Sequence, residues 1–455
     1  MQLPERFGLI FDGWTCSREH YIAIYATYVE VSHGHEIVMK RLLSCGVQSL
    51  PDEDDGNDYD FGFTAEDIGD YISDVLSSYG KTFLSIEFLC GDNAPVNLKL
   101  CNLITEYLWQ HHQIRRQVPL VGCACHRLNL AVQSLLNEEH TDNKMLVTKV
   151  KTLMTDLSTL KNTFRLGVKT PLCVLTDNAT RWGSTYKMLQ RYIVLEPILQ
   201  LCMFSETTRA LFPTPEEKTR IVELCESLKE CEKMSKYFQS EDATKINMHI
   251  VRIGLDRLCE EMPILKVYIS KTAEIIHSKD FENGIVKIQK GLESRLTKEE
   301  KSAVNVFLIN ADTNTLTEQD DEHVVQNTDL GSILHAVANE EIHNITKKSL
   351  YHSTKHVSPT SVVCETLFSK GSLIMTPNRR HMDPSTFEML ILLKVNRDMY
   401  DATTVEEAMS QFKTESDIRK KAKVQEQQAE LARIALQSIV DLQPCDIVGE
   451  NSDSN

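Results

Sequence analysis

No apolar run in this chain approaches the roughly 20 residues that a membrane-spanning helix needs, and no secretory leader opens it. A membrane span and export are therefore not expected. The 13 cysteines show no regular paired spacing, which fits reduced thiols rather than a disulfide framework. Cytoplasm or nucleus is the expected compartment. A basic excess is also missing: 49 Lys and Arg face 65 Asp and Glu, for a formal net charge of −16. A nucleic-acid partner thus gains no electrostatic support from the whole chain.

The acids are not spread evenly. Residues 51–60 hold six, 318–323 hold four and 445–455 hold three, without a Lys or Arg among them. Taking those 13 from 65 leaves 52 acids against 49 bases. The remainder is nearly balanced, so acidity does not exclude DNA. The basic run at 419–423 (Arg-Lys-Lys-Ala-Lys) reads either as a nuclear import signal or as a solvated helix face.

What is present is a chain of 455 residues, long enough for two or three domains. Residues 7–12, 21–30 and 36–43 read as strands rich in β-branched and aromatic residues. Thr64 with Asp67 predicts a capped helix stopped by Gly80. A strand over 83–91, a helix over 93–112 and a strand over 118–123 follow. The result is an α/β core with a mixed sheet, in the element order of the ribonuclease-H-like fold. This core occupies 1–125. Helical periodicity dominates 126–345, read as a large helical insertion with a loose stretch near 312–330. A helix from Ser358, with Gly371 just past its end, and another from Asp383 fill 346–402. The body of the second, Phe387–Val395, is apolar nearly all round, which fits full burial or a subunit interface. Residues 403–455 read as a helical polar tail with a disordered end.

Three carboxylates lie where a buried acid needs a cation. Asp12 and Asp92 each end an apolar strand, and Glu365 shares a helix face with Val362 and Phe368. Two Asp at strand ends with a Glu on a helix suit a two-Mg (or Mn) phosphoryl-transfer site. The alternatives are turn or cap roles for the aspartates, and for Glu365 a pair with Arg379 or Arg380. Cys123, Cys125 and His126 lack a second ligand pair at finger-like spacing, so zinc is not expected. His126 and Asn129 either reach a site at the sheet edge or cap a helix. Arg181 and Trp182 could hold a phosphate and stack on a base, or be core.

Phe11-Asp-Gly-Trp-Thr15, Gly91-Asp-Asn93, Cys123-Ala-Cys-His126, Thr180-Arg-Trp-Gly-Ser-Thr-Tyr186 and Cys364-Glu-Thr-Leu-Phe-Ser369 occur in one order. That order resembles the hAT (hobo–Activator) DNA transposases over residues 7 to 400. The stretch Thr376–Pro384 resembles the C-terminal dimerisation region of that family, in a variant most like copies from oomycete genomes. The resemblance implies that Asp12, Asp92 and Glu365 form a catalytic triad on two metal ions. It implies that His126 lies by the scissile phosphate and that Trp182 steadies a flipped base. DNA would be the substrate, with no small-molecule substrate and no membrane. A homodimer or higher oligomer would form through residues 350–400, in the nucleus. The family's N-terminal BED-type zinc finger has no counterpart here, and Thr366 stands where the family has Arg after the Glu. The alternative is a catalytically inactive, domesticated protein that dimerises and associates with DNA or chromatin.

Overall fold

The computed structural model describes residues 2–16, 19–47, 64–137, 142–177, 182–239, 246–309, 349–376, 379, 382–404 and 406–407. The acidic runs, the basic run at 419–423, the stretch near 312–330 and nearly all of the tail lie outside them. Met1–Val395 form one compact unit and Asn396–Asn455 a second. In the second, Asp401 caps a short helical turn by accepting from the backbone N and Oγ1 of Thr404, both at 2.8 Å.

Strands β1 (Phe7–Cys16), β2 (Glu19–Ser32), β3 (His35–Val47), β4 (Ile86–Gly91) and β5 (Leu120–Gly122) form one sheet in the order β3-β2-β1-β4-β5. The first three are an antiparallel meander, and β4 and β5 add in parallel on the far side of β1. The expected mixed sheet is therefore observed. Its middle is apolar on both faces: Tyr21 through Tyr28 are all buried, as a covered sheet requires. On one face Leu9, Phe11, Ile24 and Leu89 pack under α1 (Ala65–Ser78) and α2 (Pro95–His112). The Thr64–Asp67 capping box is present at the start of α1.

The helical region holds α3 (Ala124–Asn137), α4 (Asn143–Leu157), α5 (Leu160–Gly167), α6 (Trp182–Leu199), α7 (Glu206–Arg209) and α8 (Pro215–Phe238). It continues with α9 (Met248–Glu261), α10 (Lys266–Ile269), α11 (Lys279–Gln289) and α12 (Lys298–Ala303). Packing changes within it. Residues from α3 through Ile269 share one apolar core, whereas Phe281, Ile285 and Phe307 join the second face of the sheet. That face is completed by α13 (Val362–Ile374) and α14 (Pro384–Val395) through Leu367, Phe368, Phe387 and Ile391.

Some boundaries differ from expectation. A 3₁₀ turn at Phe83–Ser85 precedes β4, and β5 is only three residues long. The helix expected from Ser358 begins at Val362, because the preceding backbone is committed elsewhere. The Pro359 carbonyl accepts from Ala124 N at 2.9 Å, and Ser358 Oγ donates to the Thr360 carbonyl at 2.8 Å. Gly371 does not end this helix but lies inside it. A Cβ there would meet Phe387 Cζ at 3.0 Å and Trp14 at 3.5 Å, so the glycine permits close approach of α13 to α14 and β1.

Between the sheet and the helical region lies a buried ion pair, Arg127 on α3 with Glu282 on α11. Their fork geometry satisfies both groups, and Arg127 Nε also donates to Asn93 Oδ1 at 3.4 Å. Removing one partner of such a pair leaves an uncompensated buried charge, at a cost of about 3–5 kcal/mol. Glu282→Ala is accordingly expected to lower urea-unfolding stability by that amount. The double substitution Arg127→Met with Glu282→Leu should recover most of the deficit.

Candidate functional site

Parallel pairing brings the two aspartates to one end of the sheet. Ile10 on β1 is in register with Cys90 on β4. Asp12 and Asp92 each lie two residues further, hence on the same face of neighbouring strands. Val121 on β5 is in register with Cys90, so Cys123 follows on that face too, and its backbone N donates to the Gly91 carbonyl at 2.7 Å. Glu365 sits on the first turn of α13, which packs over this face.

An aromatic contact fixes that helix to β1. Trp14, two residues beyond Asp12, stacks on Phe368, three residues beyond Glu365, with ring centroids 5.5 Å apart. Tyr21 and Phe387 close the group, 4.9 Å apart and edge to face. Offset and edge-to-face pairs of this kind add to the apolar burial. The cluster sets the distance between the strand that carries Asp12 and the helix that carries Glu365.

Each carboxylate has its own surroundings. Asp12 is half-buried and accepts from Gly13 N at 2.9 Å, and among the described residues no Lys or Arg pairs with it. Its carboxyl is pushed up to about 7, first by burial, then by the Cys123 thiolate, and also by the charges of Asp92 and Glu365. The Gly13 hydrogen bond opposes that rise. Asp92 accepts from Ala94 N at 3.0 Å and from the Asn97 side chain, which orients its carboxylate. Asp12 therefore feels the charges of both other acids.

The Cys123–His126 motif proves to be a helix start. Cys123 occupies the N-cap position of α3, where its carbonyl accepts from Arg127 N at 3.1 Å. Its thiol is lowered to about 6, first by a hydrogen bond from Cys125, with further donors at Ser361 and the His126 backbone, against the opposing effect of burial. A thiolate at a helix N-terminus is favoured in this way. His126 is half-buried in the first turn, three residues from the cap. Gly122 allows this packing, since a Cβ there would overlap Asn93 Oδ1.

Trp182 opens α6, with its backbone N donating to Asn129 Oδ1 at 3.4 Å. Its side chain is 5 % exposed in the helical core, beside Tyr186 at 6.2 Å. In this conformation it is a core residue and not an open stacking surface. Arg181 lies outside the described residues, as does Arg380, one of the two alternative partners for Glu365.

The donors at the strand ends are hard oxygens with surplus negative charge, the chemistry that suits Mg²⁺ or Mn²⁺. Among the described residues, however, no three His, Cys, Asp or Glu side chains converge closely enough to hold one ion. The two findings are compatible, because a charge acts over several ångströms and coordination needs about 2 Å. Sequence reading missed Asn97 and the capping role of Cys123. A polar residue five positions after Asp92, one turn into a helix whose start faces the same end, is the signal for the first.

Asp12 also makes stability depend on pH. Its pKa is raised in the folded chain, so the fold binds the proton more tightly than the unfolded state does. The associated stability is full below about 4 and falls away as pH rises to about 7, by at most about 1.4 kcal/mol for each pH unit crossed. In metal-free buffer, thermal unfolding should show a falling Tm across that window. Asp12→Asn should flatten the curve, and parallel curves for the two proteins would contradict the assigned environment.

No curated protein matches the chain. Among the described residues no helix is long and apolar enough to cross a membrane. Residues 121–227, from β5 into α8, match the family model of the ZBED1 RNase-like helical domain. That family is related to the hAT transposases, and the match supports a hAT transposase-like protein.

Proposed function

We propose that this chain is a hAT-type, transposase-derived protein whose α/β unit is a ribonuclease-H-like core for metal-dependent DNA strand cleavage and transfer. The observation that carries the reading is the Asp12 carboxyl, raised to about 7 by burial first, then by Cys123, Asp92 and Glu365, with no Lys or Arg among the described residues paired with it. The strand order β3-β2-β1-β4-β5 and the hAT-related match over 121–227 support it. Asp12, Asp92 and Glu365 would hold Mg²⁺ or Mn²⁺ through carboxylate oxygens. Bound there, the metal would supply charge neutralisation and Lewis-acid activation at a phosphate.

The protein's own part is positional. Gly13 N holds one Asp12 oxygen, Asn97 and Ala94 N hold Asp92, and the Trp14–Phe368 stack holds the helix of Glu365. His126 would sit beside the scissile phosphate, with Arg181 holding a phosphate and Trp182 steadying a flipped base. Trp182 is buried in the described conformation, so that contact requires the first turn of α6 to open. The substrate would be DNA in the nucleus. With purified protein and Mg²⁺, Asp12→Ala, Asp92→Ala and Glu365→Ala should each abolish nicking and strand transfer. Residual activity with wild-type metal dependence in any of them would refute the site.

A second reading is a catalytically inactive protein that dimerises and associates with DNA or chromatin. One observation favours it: α14 turns Met389, Leu390 and Leu393 outward at 41–56 % exposure. Phe387 and Ile391 on its other side are buried. In either reading α14 would carry the subunit contact. Sedimentation of the intact chain should show a dimer at micromolar concentration, shifted to monomer by Leu390→Glu with Leu393→Glu. A wild-type monomer under those conditions would rule the contact out.

A further inference from the structure

At the far end of α2 from Asp92, the chain builds a groove that the proposed chemistry does not use. Gln113 caps the helix in the left-handed region, at φ 60°. The chain then doubles back: Ile114 N donates to the Leu108 carbonyl at 3.2 Å, and Val118 N donates to Thr105 Oγ1 at 3.0 Å. Held along the last turns of α2, the segment leaves an open groove of about 450 Å³ walled by Trp109, Ile114, Arg115 and Arg116. Arg115 lies over the Trp109 ring at 4.5 Å from its centroid, and Trp109 is 42 % exposed. Glu106, an acid in the wall, accepts a hydrogen bond from Gln110 at 2.8 Å.

The local charge departs from that of the chain. Between Glu106 and Glu138 there is no Asp or Glu, while Arg115, Arg116, His111 and His112 fall in the first part of that interval, and Arg127 further on is neutralised by Glu282. A protein of net charge −16 thus keeps one long interval free of acids, and its first third lines the groove. An exposed indole with guanidinium groups beside it suits a base on the ring and phosphates on the arginines.

We propose that the Trp109–Arg115–Arg116 groove binds single-stranded DNA, with an unpaired base stacked on Trp109 and backbone phosphates on the two arginines. β4 and β5 run parallel, so Asp92 and Cys123 follow one end of the sheet while Gln113–Pro119 leads into the other. At 1.5 Å rise per residue, Trp109 lies about 20 Å along α2 from the Asp92 end. The groove is therefore a holding site for a strand beyond the reacting phosphate. Its presence on a DNA strand rests on the reading above, but its binding does not require the carboxylates.

The test uses the intact chain and a fluorescein-labelled dT20 strand, read by anisotropy across a salt series. Trp109→Ala is expected to weaken binding about tenfold, within the range for one stacked base. Arg115→Gln with Arg116→Gln should weaken it and lower the salt slope by about 0.7 for each phosphate no longer neutralised. Trp109→Phe should restore most of the affinity while abolishing the quenching of intrinsic fluorescence, since Trp14 is only part-exposed and Trp182 is buried. Trp109 and Arg115 are exposed and Arg116 is half-buried, and circular dichroism checks that each variant is folded. Unchanged affinity in Trp109→Ala and in the double arginine variant would overturn the proposal. Equal affinity and equal quenching with a 20-base-pair duplex, or no binding of the strand at low salt, would overturn it too. A chain that nicks DNA but ignores Trp109→Ala loses this proposal alone. One that binds the strand through Trp109 and never nicks loses the catalytic reading alone.

Discussion

The stack of Trp14 on Phe368 is the contact on which the arrangement of this protein turns. β1 is the third strand of five in the sheet order, and α13 comes from the other end of the unit, after all the helices of the middle region. Nothing in local sequence joins them. What joins them is a group of four aromatic rings, Trp14, Tyr21, Phe368 and Phe387, two of which close against Gly371, where a Cβ would be tight. Because Asp12 and Glu365 lie two and three residues from members of that group, burial of the rings also sets where the acids stand. Apolar packing here does the placing, and the charges accept the position they are given.

That position is electrostatically unfavourable for the acids themselves. Asp12 lies half-buried among the charges of Cys123, Asp92 and Glu365, and its hydrogen bond from Gly13 cannot offset them. A like-charged cluster of this kind either takes up protons or attracts a cation. The Cys123 thiolate makes the demand stronger, since the hydrogen bonds that stabilise it as a cap for α3 keep a further negative charge close to Asp12. Capping of a helix and poising of a carboxyl are thus one event at the end of β5.

Much of the fold was legible because its signals are local. The β-branched and aromatic run at Tyr21–Tyr28 marks a strand buried on both faces, and Thr64 with Asp67 marks a helix start without reference to any other segment. The strands ran longer than expected because β1 and β2 extend into polar ends that pair with each other and need little burial. Gly371 was misleading for a physical reason: a glycine that ends a helix and one that lets two helices touch look the same in sequence. The pairing of Asp12 with Asp92 was only implicit, since register between β1 and β4 depends on tertiary packing. Sequence marks Cys123 only as a candidate zinc ligand, and the lowering of its thiol draws first on Cys125 and in part on Ser361, 238 residues away, whose backbone N donates to Sγ at 3.4 Å.

The sheet face that carries Tyr21, Tyr25 and Phe88 is covered by helices that begin at Lys279, Val362 and Pro384. A ribosome adding about 5–20 residues per second needs on the order of 15–55 s to travel from Asp92 to Glu365. Early in that interval α2 and β5 complete the sheet and its first face, while the other face gains little beyond the segment from Lys279 before α13 is made. The nascent chain must therefore carry an open aromatic surface, and two of its three clustered acids, through most of its own synthesis. The moment at which Asp12, Asp92 and Glu365 are first all present is set by how late α13 leaves the ribosome.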